Sequence, residues 1–123
     1  MSTVKATTLS NLAGSLTITT DRVAQGTAAA WVNFNGTGTV AIRASFNVTS
    51  ITDNGTGDYT VNFTSALPDA NYSIAQNVGG TSAFVSRTYD ELTARTASAF
   101  RQITYNAGGA LTDVSQVNLT VFR

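Results

Sequence analysis

Between residues 31 and 63 the chain alternates apolar and polar side chains with a period of two. Tyr59, Val61 and Phe63, for example, are separated by Thr60 and Asn62. This period places one side of a strand in the core and the other in water, which is typical of antiparallel sheets rather than helices. Asn-Gly dipeptides separate the alternating runs, and Asn-Gly favours tight hairpins because both central residues take positive φ. The pattern therefore predicts strands that fold back on one another.

The same signals continue from residue 28 to the end of the sequence. They predict strands at about 29–34, 39–49, 58–66, 71–78, 83–89, 94–105 and 112–122. Glycine, asparagine and proline cluster between these runs, as they do at turns. Short strands at this spacing predict an all-β fold, an antiparallel β-sandwich of jelly-roll-like type, with a small barrel as the alternative.

Helices are expected only as single turns, at 66–71 or near 90–94. Residues 92–101 contain helix-forming side chains, but their β-branched and hydroxyl content favours a strand. The predicted core consists of the aromatic and aliphatic residues that alternate along the strands. Its members are Trp31, Phe34, Val40, Ile42, Phe46, Val48, Tyr59, Val61, Phe63, Tyr72, Ile74, Phe100, Ile103, Val117, Leu119 and Val121. Phe122, which is out of phase with Val121, is expected to face outward or into a subunit interface.

Residues 1–27 differ from the rest, because they contain no aromatic residue and few apolar ones. Leu16 and Ile18 alternate with threonines, which predicts a short strand at 15–20. A strand of this kind cannot bury its apolar side alone. We therefore expect an N-terminal arm over 1–27 that serves anchoring and oligomerisation, and a β-sandwich domain over 28–123. A loose terminus with an edge strand is the alternative.

The composition is short of charge. Seven basic and seven acidic residues give a formal net charge of zero, and charged residues make up 11% of the chain, against about 25% in an ordinary soluble domain. A weakly charged surface favours association, so a homo-oligomer is expected. The scattered basic residues offer no footprint for nucleic acid. Neither a signal-peptide pattern nor a membrane-spanning apolar run is present, so we expect a cytoplasmically made protein without membrane insertion.

Few residues could carry catalysis or metal binding. The chain has neither histidine nor cysteine, which removes the commonest general base, the usual nucleophile systems and most zinc sites. The acidic segment 53–58 lacks the EF-hand order, and a hairpin turn explains it better than a calcium loop. The glycines of 35–38 join two strands rather than opening a helix, so phosphate binding is not indicated. We expect no catalytic residue, no metal and no cofactor, and hence no enzyme.

Three segments of the sequence resemble a module common in virion proteins of tailed bacteriophages. They are AWVNFNGTGTVAIR at 30–43, SITDNGTGDYTVNF at 50–63 and LPDANY at 67–72. The similarity is nearly gapless from 31 to 72 and continues loosely through 111–123. It implies a structural virion protein, such as a small tail fibre or fibre tip, that is trimeric and takes part in host-surface adhesion. The alternative is a head decoration protein or a capsid-attached fibre, and a polysaccharide hydrolase has little support.

Residues 79–98 lie outside the similar segments, and in a fibre such a region would be variable and would face the partner. The candidate receptor-binding residues there are Arg87, Tyr89, Asp90, Glu91 and Arg95. Tyrosine and arginine suit a host glycan or protein through stacking and forked hydrogen bonds. We expect this region to be exposed at the end of the molecule distal to the arm, which would bind other virion proteins. The alternative is that the two arginines form salt bridges with Asp90 and Glu91 and bind no ligand.

Overall fold

The computed structural model describes residue 3 and residues 5–11, 13–80, 84–88 and 95–123, with 84–88 described by their backbone. Within these residues the protein is all-β, with antiparallel sheets and one short helix, which confirms the prediction of an all-β, antiparallel fold. The strands are β1 (Thr8–Ser10), β2 (Thr17–Thr19), β3 (Ala30–Asn35), β4 (Ala41–Phe46), β5 (Val48–Gly55), β6 (Asp58–Phe63), β7 (Ser73–Gly79), β8 (Phe84–Thr88), β9 (Ala99–Asn106) and β10 (Gln116–Phe122). The helix α1 is Thr20–Gly26.

The described strands form one small hairpin and two four-stranded sheets. The hairpin pairs β1 with β2. One larger sheet, called here the Trp31 sheet, has the order β4-β3-β10-β7, and the other, the Tyr59 sheet, has the order β5-β6-β9-β8. We call these two sheets together the body, and residues 1–27 the arm.

One hydrophobic core lies between the two sheets of the body. Phe34 of the Trp31 sheet packs edge-on against Tyr59 of the other sheet, with ring centroids 5.2 Å apart. Phe63, Tyr72 and Phe100 form a second aromatic group, with centroids 5.7 to 6.2 Å apart. Aromatic pairs of this kind add about 0.5–1.5 kcal/mol each beyond simple burial. The buried apolar residues are Ala30, Val32, Phe34, Val48, Tyr59, Val61, Phe63, Leu67, Tyr72, Phe100, Ile103, Val114, Val117, Leu119 and Val121.

Two predicted core residues, Trp31 and Phe46, lie instead on the outer face, and the core prediction is wrong for them. They are 40% and 55% exposed and stand opposite each other on β3 and β4. A β-bulge at Arg43 explains Phe46, because the extra residue reverses the alternation after Ile42. Trp31 is out of phase with its buried neighbour Val32, so it points away from the core. The predicted Val40, Ile42 and Ile74 are partly buried against the core.

The predicted strand 39–49 is divided by Asn47, where the chain crosses from one sheet to the other. Asn47 has a φ of 54°, the only positive φ among the described non-glycine residues. Its side-chain amide donates to the carbonyls of Ala29 and Ser65, each at 3.1 Å, and its Oδ1 accepts from the Ser65 N–H at 2.8 Å. These bonds satisfy backbone groups at the crossing and hold the residue in its left-handed conformation.

Other boundaries also differ from the prediction. Residues 66–71 form no helix, because the Asp69 carboxylate accepts from the Asn71 N–H and pairs with Arg123 in an irregular connection. The strand expected at 94–105 begins at Ala99, after a turn in which Thr96 accepts from the Ala99 N–H at 3.0 Å. The second helix candidate, at 90–94, lies outside the described residues.

The arm contains the hairpin β1–β2 followed by the seven-residue α1. The strand predicted at 15–20 is shorter, because the helix begins at Thr20. Thr19 caps that helix by accepting from the Arg22 N–H at 3.2 Å, and Asp21 lies in its first turn. Both features favour a helix start. Every described residue of the arm is exposed except Thr20, which is half-buried.

The strand registers give the body two distinct ends. Ala30, at the start of β3, pairs with Val121, and Val121 pairs with Ile74, so the arm joins the body at this end. At the other end lie the connections β3–β4, β5–β6 and β9–β10. We call these the arm end and the distal end. Strands of five to eight residues separate them by about 17 to 27 Å.

Candidate functional site

The segment predicted to bind a receptor forms part of one edge of the body. Its strand β8 is the edge strand of the Tyr59 sheet, where Arg87 stands opposite Ile103. Because β8 begins at the distal end, Arg87 lies toward the arm end of this strand. Tyr89, Asp90 and Glu91 lie outside the described residues, so their role stays a prediction.

Arg95 is anchored to the arm end of the body, so the predicted distal position is wrong for this residue. Its Nη1 donates to the backbone oxygen of Tyr72 at 3.1 Å, and its guanidinium carbon lies 5.5 Å from the centre of the Tyr72 ring. Cation–π contacts of this geometry are attractive. The Tyr72 hydroxyl lies 3.0 Å from the carbonyl oxygen of Thr96, and burial raises the pKa of Tyr72 to about 12. Arg95 and Tyr72 therefore fix the chain where it enters β9.

The distal end carries a set of ordered loops. The Tyr59 hydroxyl is the centre of this set: it lies 2.9 Å from the Gly36 carbonyl oxygen and 3.0 Å from Asp113 Oδ1. The same carboxylate oxygen accepts from the Gly57 N–H at 2.7 Å. The Gly36 N–H in turn donates to the Val114 carbonyl at 2.9 Å. One buried phenol and one carboxylate thus join the β3–β4, β5–β6 and β9–β10 connections.

Close backbone packing completes this loop set. Gly57 has a φ of 66°, and a Cβ at this position would lie 2.6 Å from the carbonyl oxygen of Thr104 and the nitrogen of Thr112. Only glycine fits such an approach at a positive φ. Thr104 and Thr112 are joined by a backbone hydrogen bond of 3.0 Å and by one of 2.5 Å from the Thr104 hydroxyl. Residues 37–39, 54–56 and 107–111 project from this base and are exposed.

The ionisable side chains of the distal end form hydrogen bonds and an ion pair that support the loops, rather than a reactive centre. Burial raises the pKa of the Tyr59 phenol above its ordinary value, and the Asp113 carboxylate raises it further. The phenol therefore stays protonated near neutral pH and acts as a hydrogen-bond donor. At the start of β6, the carboxylate of Asp58 pairs with the guanidinium of Arg101, which lowers the Asp58 pKa. As predicted, 53–58 is a hairpin turn, and its two carboxylates are not gathered as ligands: Asp53 accepts from Gly55 while Asp58 binds Arg101.

A second surface feature was missed by the sequence interpretation, namely the outer face of the Trp31 sheet. Four residues of this face form a row across all four strands near the arm end: Phe46, Trp31, Thr120 and Ala75. The next row toward the distal end is Ala44, Asn33, Asn118 and Asn77. The Asn33 amide donates to Asn118 Oδ1 within this row. The alternation along β3 would have predicted this exposed face if Val32, rather than Trp31, had been taken as the residue that points into the core.

The face continues into a groove at the arm end. Side chains of the arm line one side of the groove and Phe46 lies on the other. The groove is lined by Leu9, Thr20, Val23, Ala24, Thr27, Ala28, Ala29, Phe46 and Arg123. Leu9, Val23, Trp31 and Phe46 are all exposed large apolar side chains, so this region holds much of the exposed apolar surface in the described residues.

Comparisons with known proteins do not extend the interpretation. The chain matches no protein family, no curated protein and no solved structure. Among the described residues, no three histidine, cysteine, aspartate or glutamate side chains are grouped as metal ligands would be. No helix in the described part of the chain is long and apolar enough to cross a membrane. The distal loops and the outer face of the Trp31 sheet are the two surfaces that geometry singles out.

Proposed function

We propose that this protein is a non-enzymatic structural protein of a bacteriophage virion, a tail fibre or fibre tip that takes part in host-surface adhesion. The observation that carries the proposal is the polarity of the body: the exposed arm leaves one end, and an ordered set of loops occupies the other. A fibre component needs this arrangement, because one end attaches to the particle and the other meets the host. The resemblance of 31–72 to virion modules supports the same function.

The architecture proposed for this role is a jelly-roll-like β-sandwich with an arm. Eight described strands in two four-stranded sheets around one core agree with the strand number of jelly rolls, which are frequent in viral proteins. The first and last strands of the body, β3 and β10, are neighbours. We further propose a homotrimer that is made in the host cytoplasm and assembled into the virion, with the arm bound to other virion proteins.

The distal loops are the part of the body best placed to contact a host glycan or protein. Their exposed residues are small except for Asn54 and Leu111. Their base is fixed by Tyr59 and Asp113. Exposed loops on a rigid scaffold are the usual location of binding sites. Arg87, Tyr89, Asp90 and Glu91 remain the competing candidates, with Arg95 as the residue that anchors their segment to the body.

The test is competition for adsorption. Purified protein should bind host cells and reduce adsorption of the phage that encodes it. Lysines at two exposed loop positions, Thr56→Lys with Ala107→Lys, should weaken this competition about tenfold or more, which corresponds to about 1.4 kcal/mol. The control is Thr64→Lys, which is also exposed but lies at the arm end, and it should compete like the wild type.

Three results would change the assignment. If Tyr89→Ala abolishes competition while the lysine variant retains it, recognition belongs to the segment after β8. If labelled antibody places the protein on the capsid shell, the head decoration alternative replaces the fibre. If the protein neither binds cells nor occurs in purified virions, the proposed function is wrong.

A further inference from the structure

The outer face of the Trp31 sheet has the composition of a subunit interface. Strands β3, β10 and β7, which form three quarters of its width, contain no charged residue. The cores of protein interfaces are depleted of charge and enriched in aromatic residues. Trp31 and Phe46 stand side by side on this face and remain largely solvent-exposed in a single chain.

We propose that this face, together with the groove beside the arm, is the surface through which copies of this chain pack against one another. The proposal rests on the oligomer included in the proposed function and specifies its contact surface. The row that contains the solvent-exposed, apolar Trp31 and Phe46 would form the centre of the contact. The asparagine row beside it would form the polar part.

Charge and hydrogen bonding favour a second copy as the occupant. The chain has zero formal net charge, and three strands of this face are uncharged. Arg43 of β4 donates to the Ser115 carbonyl, and Arg123 in the groove is paired with Asp69, so a second copy would meet little like-charge repulsion. The row of Asn33, Asn118 and Asn77 is also compatible with itself, because each amide has two donors and an acceptor oxygen. The same row on a neighbouring copy therefore supplies the partners that it needs.

The arm, which lies beside this face, gives a second reason to expect a neighbouring copy there. Its hairpin has three-residue strands, its helix has seven residues, and none of its described residues is buried. Elements this short are not stable in water without tertiary cover. Leu9 and Val23 of the arm and Phe46 of the sheet line one groove, so a copy seated on the sheet face would also cover the apolar side of the arm.

The experiment introduces negative charge on the face without touching the core. Ala44 and Ala75 are exposed and lie on β4 and β7, the two edge strands of the Trp31 sheet. Ala44→Glu and Ala75→Glu are compared with Ala66→Glu, an exposed alanine in the β6–β7 connection, which belongs to neither row of the face. Light scattering measures mass, circular dichroism confirms folding, and the fluorescence of Trp31, the only tryptophan in the chain, reports on the face directly.

We expect a multimeric wild type and multimeric Ala66→Glu, both with the emission of a covered tryptophan. Ala44→Glu and Ala75→Glu should fall to the 12.8 kDa of one chain, a threefold drop for a trimer, and their emission should shift to longer wavelength. Charged variants that keep the wild-type mass and emission would overturn the assignment of the face while leaving the proposed fibre intact. A monomeric wild type would overturn both this inference and the proposed oligomer, although not adhesion itself. Glycan binding that quenches Trp31 in an unchanged oligomer would assign the face to a neutral sugar and overturn the inference.

Discussion

The hydroxyl of Tyr59 lies 3.0 Å from the carboxylate of Asp113, although the two residues are 54 positions apart in the sequence. Asp113 Oδ1 also accepts from the backbone of Gly57, and Tyr59 Oη also contacts the carbonyl of Gly36. Because each partner serves more than one loop, removing either should loosen the whole distal end rather than a single turn. The loops that we propose as the contact surface therefore depend on one pair, the buried Tyr59 and the half-buried Asp113.

A double-mutant cycle tests this dependence. Tyr59→Phe keeps the ring that packs against Phe34 but removes the hydroxyl, and Asp113→Ala removes the acceptor. Each change should lower the free energy of unfolding by about 1–3 kcal/mol, because Asp113→Ala removes the acceptor of the buried Gly57 N–H and Tyr59→Phe removes the hydroxyl that contacts the buried Gly36 carbonyl. The double variant should lose less than the sum, as expected for residues in one network. Urea denaturation measures all four proteins, and strictly additive losses would show that the two side chains act independently.

A second prediction concerns the crossing residue Asn47. Alanine there would lose the hydrogen bonds to Ala29 and Ser65 and would still have to adopt a φ of 54°. Glycine loses the same bonds but takes this conformation easily. Asn47→Gly should therefore be more stable than Asn47→Ala by about 1 kcal/mol, with both below the wild type. Chemical denaturation gives the order, and an alanine variant as stable as the glycine variant would contradict the strain argument.

A third prediction concerns acid stability and the ion pair of Asp58 with Arg101. Arg101 lowers the pKa of Asp58 in the folded protein, so this carboxyl stabilises the fold fully above its unfolded pKa of about 3.9. The contribution is lost as the pH falls through the lower, folded value. Asp58→Asn should therefore flatten the dependence of the urea midpoint on pH between about pH 5 and pH 2. Arg101→Gln should flatten it similarly, whereas an unchanged slope in both variants would exclude the pair as a source of acid sensitivity.

A fourth prediction concerns the arm. Because none of its described residues is buried, deletion of residues 1–27 should leave the body folded, with a β-sheet circular dichroism spectrum that lacks the contribution of α1 and a cooperative unfolding transition. The truncated protein should nevertheless fail to enter virions when it replaces the full chain during assembly. Incorporation is measured by immunoblot of purified particles. An unfolded truncated protein would show that the arm is part of the folding unit, and normal incorporation would place the attachment surface on the body.

The strands were predictable because their alternation is set by burial on one side, which the sequence displays directly. The division of 39–49 was not, because Phe46 and Val48 continue the period of two across Asn47, the residue at which the chain changes sheet. The bulge at Arg43 likewise leaves no mark in the pattern while reversing the direction of Phe46. The sequence shows which residues alternate within a strand. Bulges and crossings depend on which strands pair, and local periodicity does not show that.

The candidate site was less predictable than the fold. The loop set depends on Tyr59 and Asp113, which the sequence presents as an ordinary core tyrosine and an isolated acid. Their contact follows from the pairing of distant strands. By contrast, the helix α1 carried a usable signal, namely Thr19 as a cap and Asp21 in the first turn. Arg95 was recognised as a prominent residue, but its position on Tyr72 could not be read from its neighbours in the chain.

The neighbouring positions of β3 and β10 have a practical consequence for engineering. Chain that precedes Ala30 and chain that follows Phe122 both leave the body at the arm end. A reporter or affinity tag fused at either point would therefore lie away from the loops at the distal end. Foreign peptides meant for display belong instead at 107–110, where exposed residues join β9 to the segment before β10. An epitope inserted there should be accessible to antibody, while the tag at the arm end stays available for immobilisation.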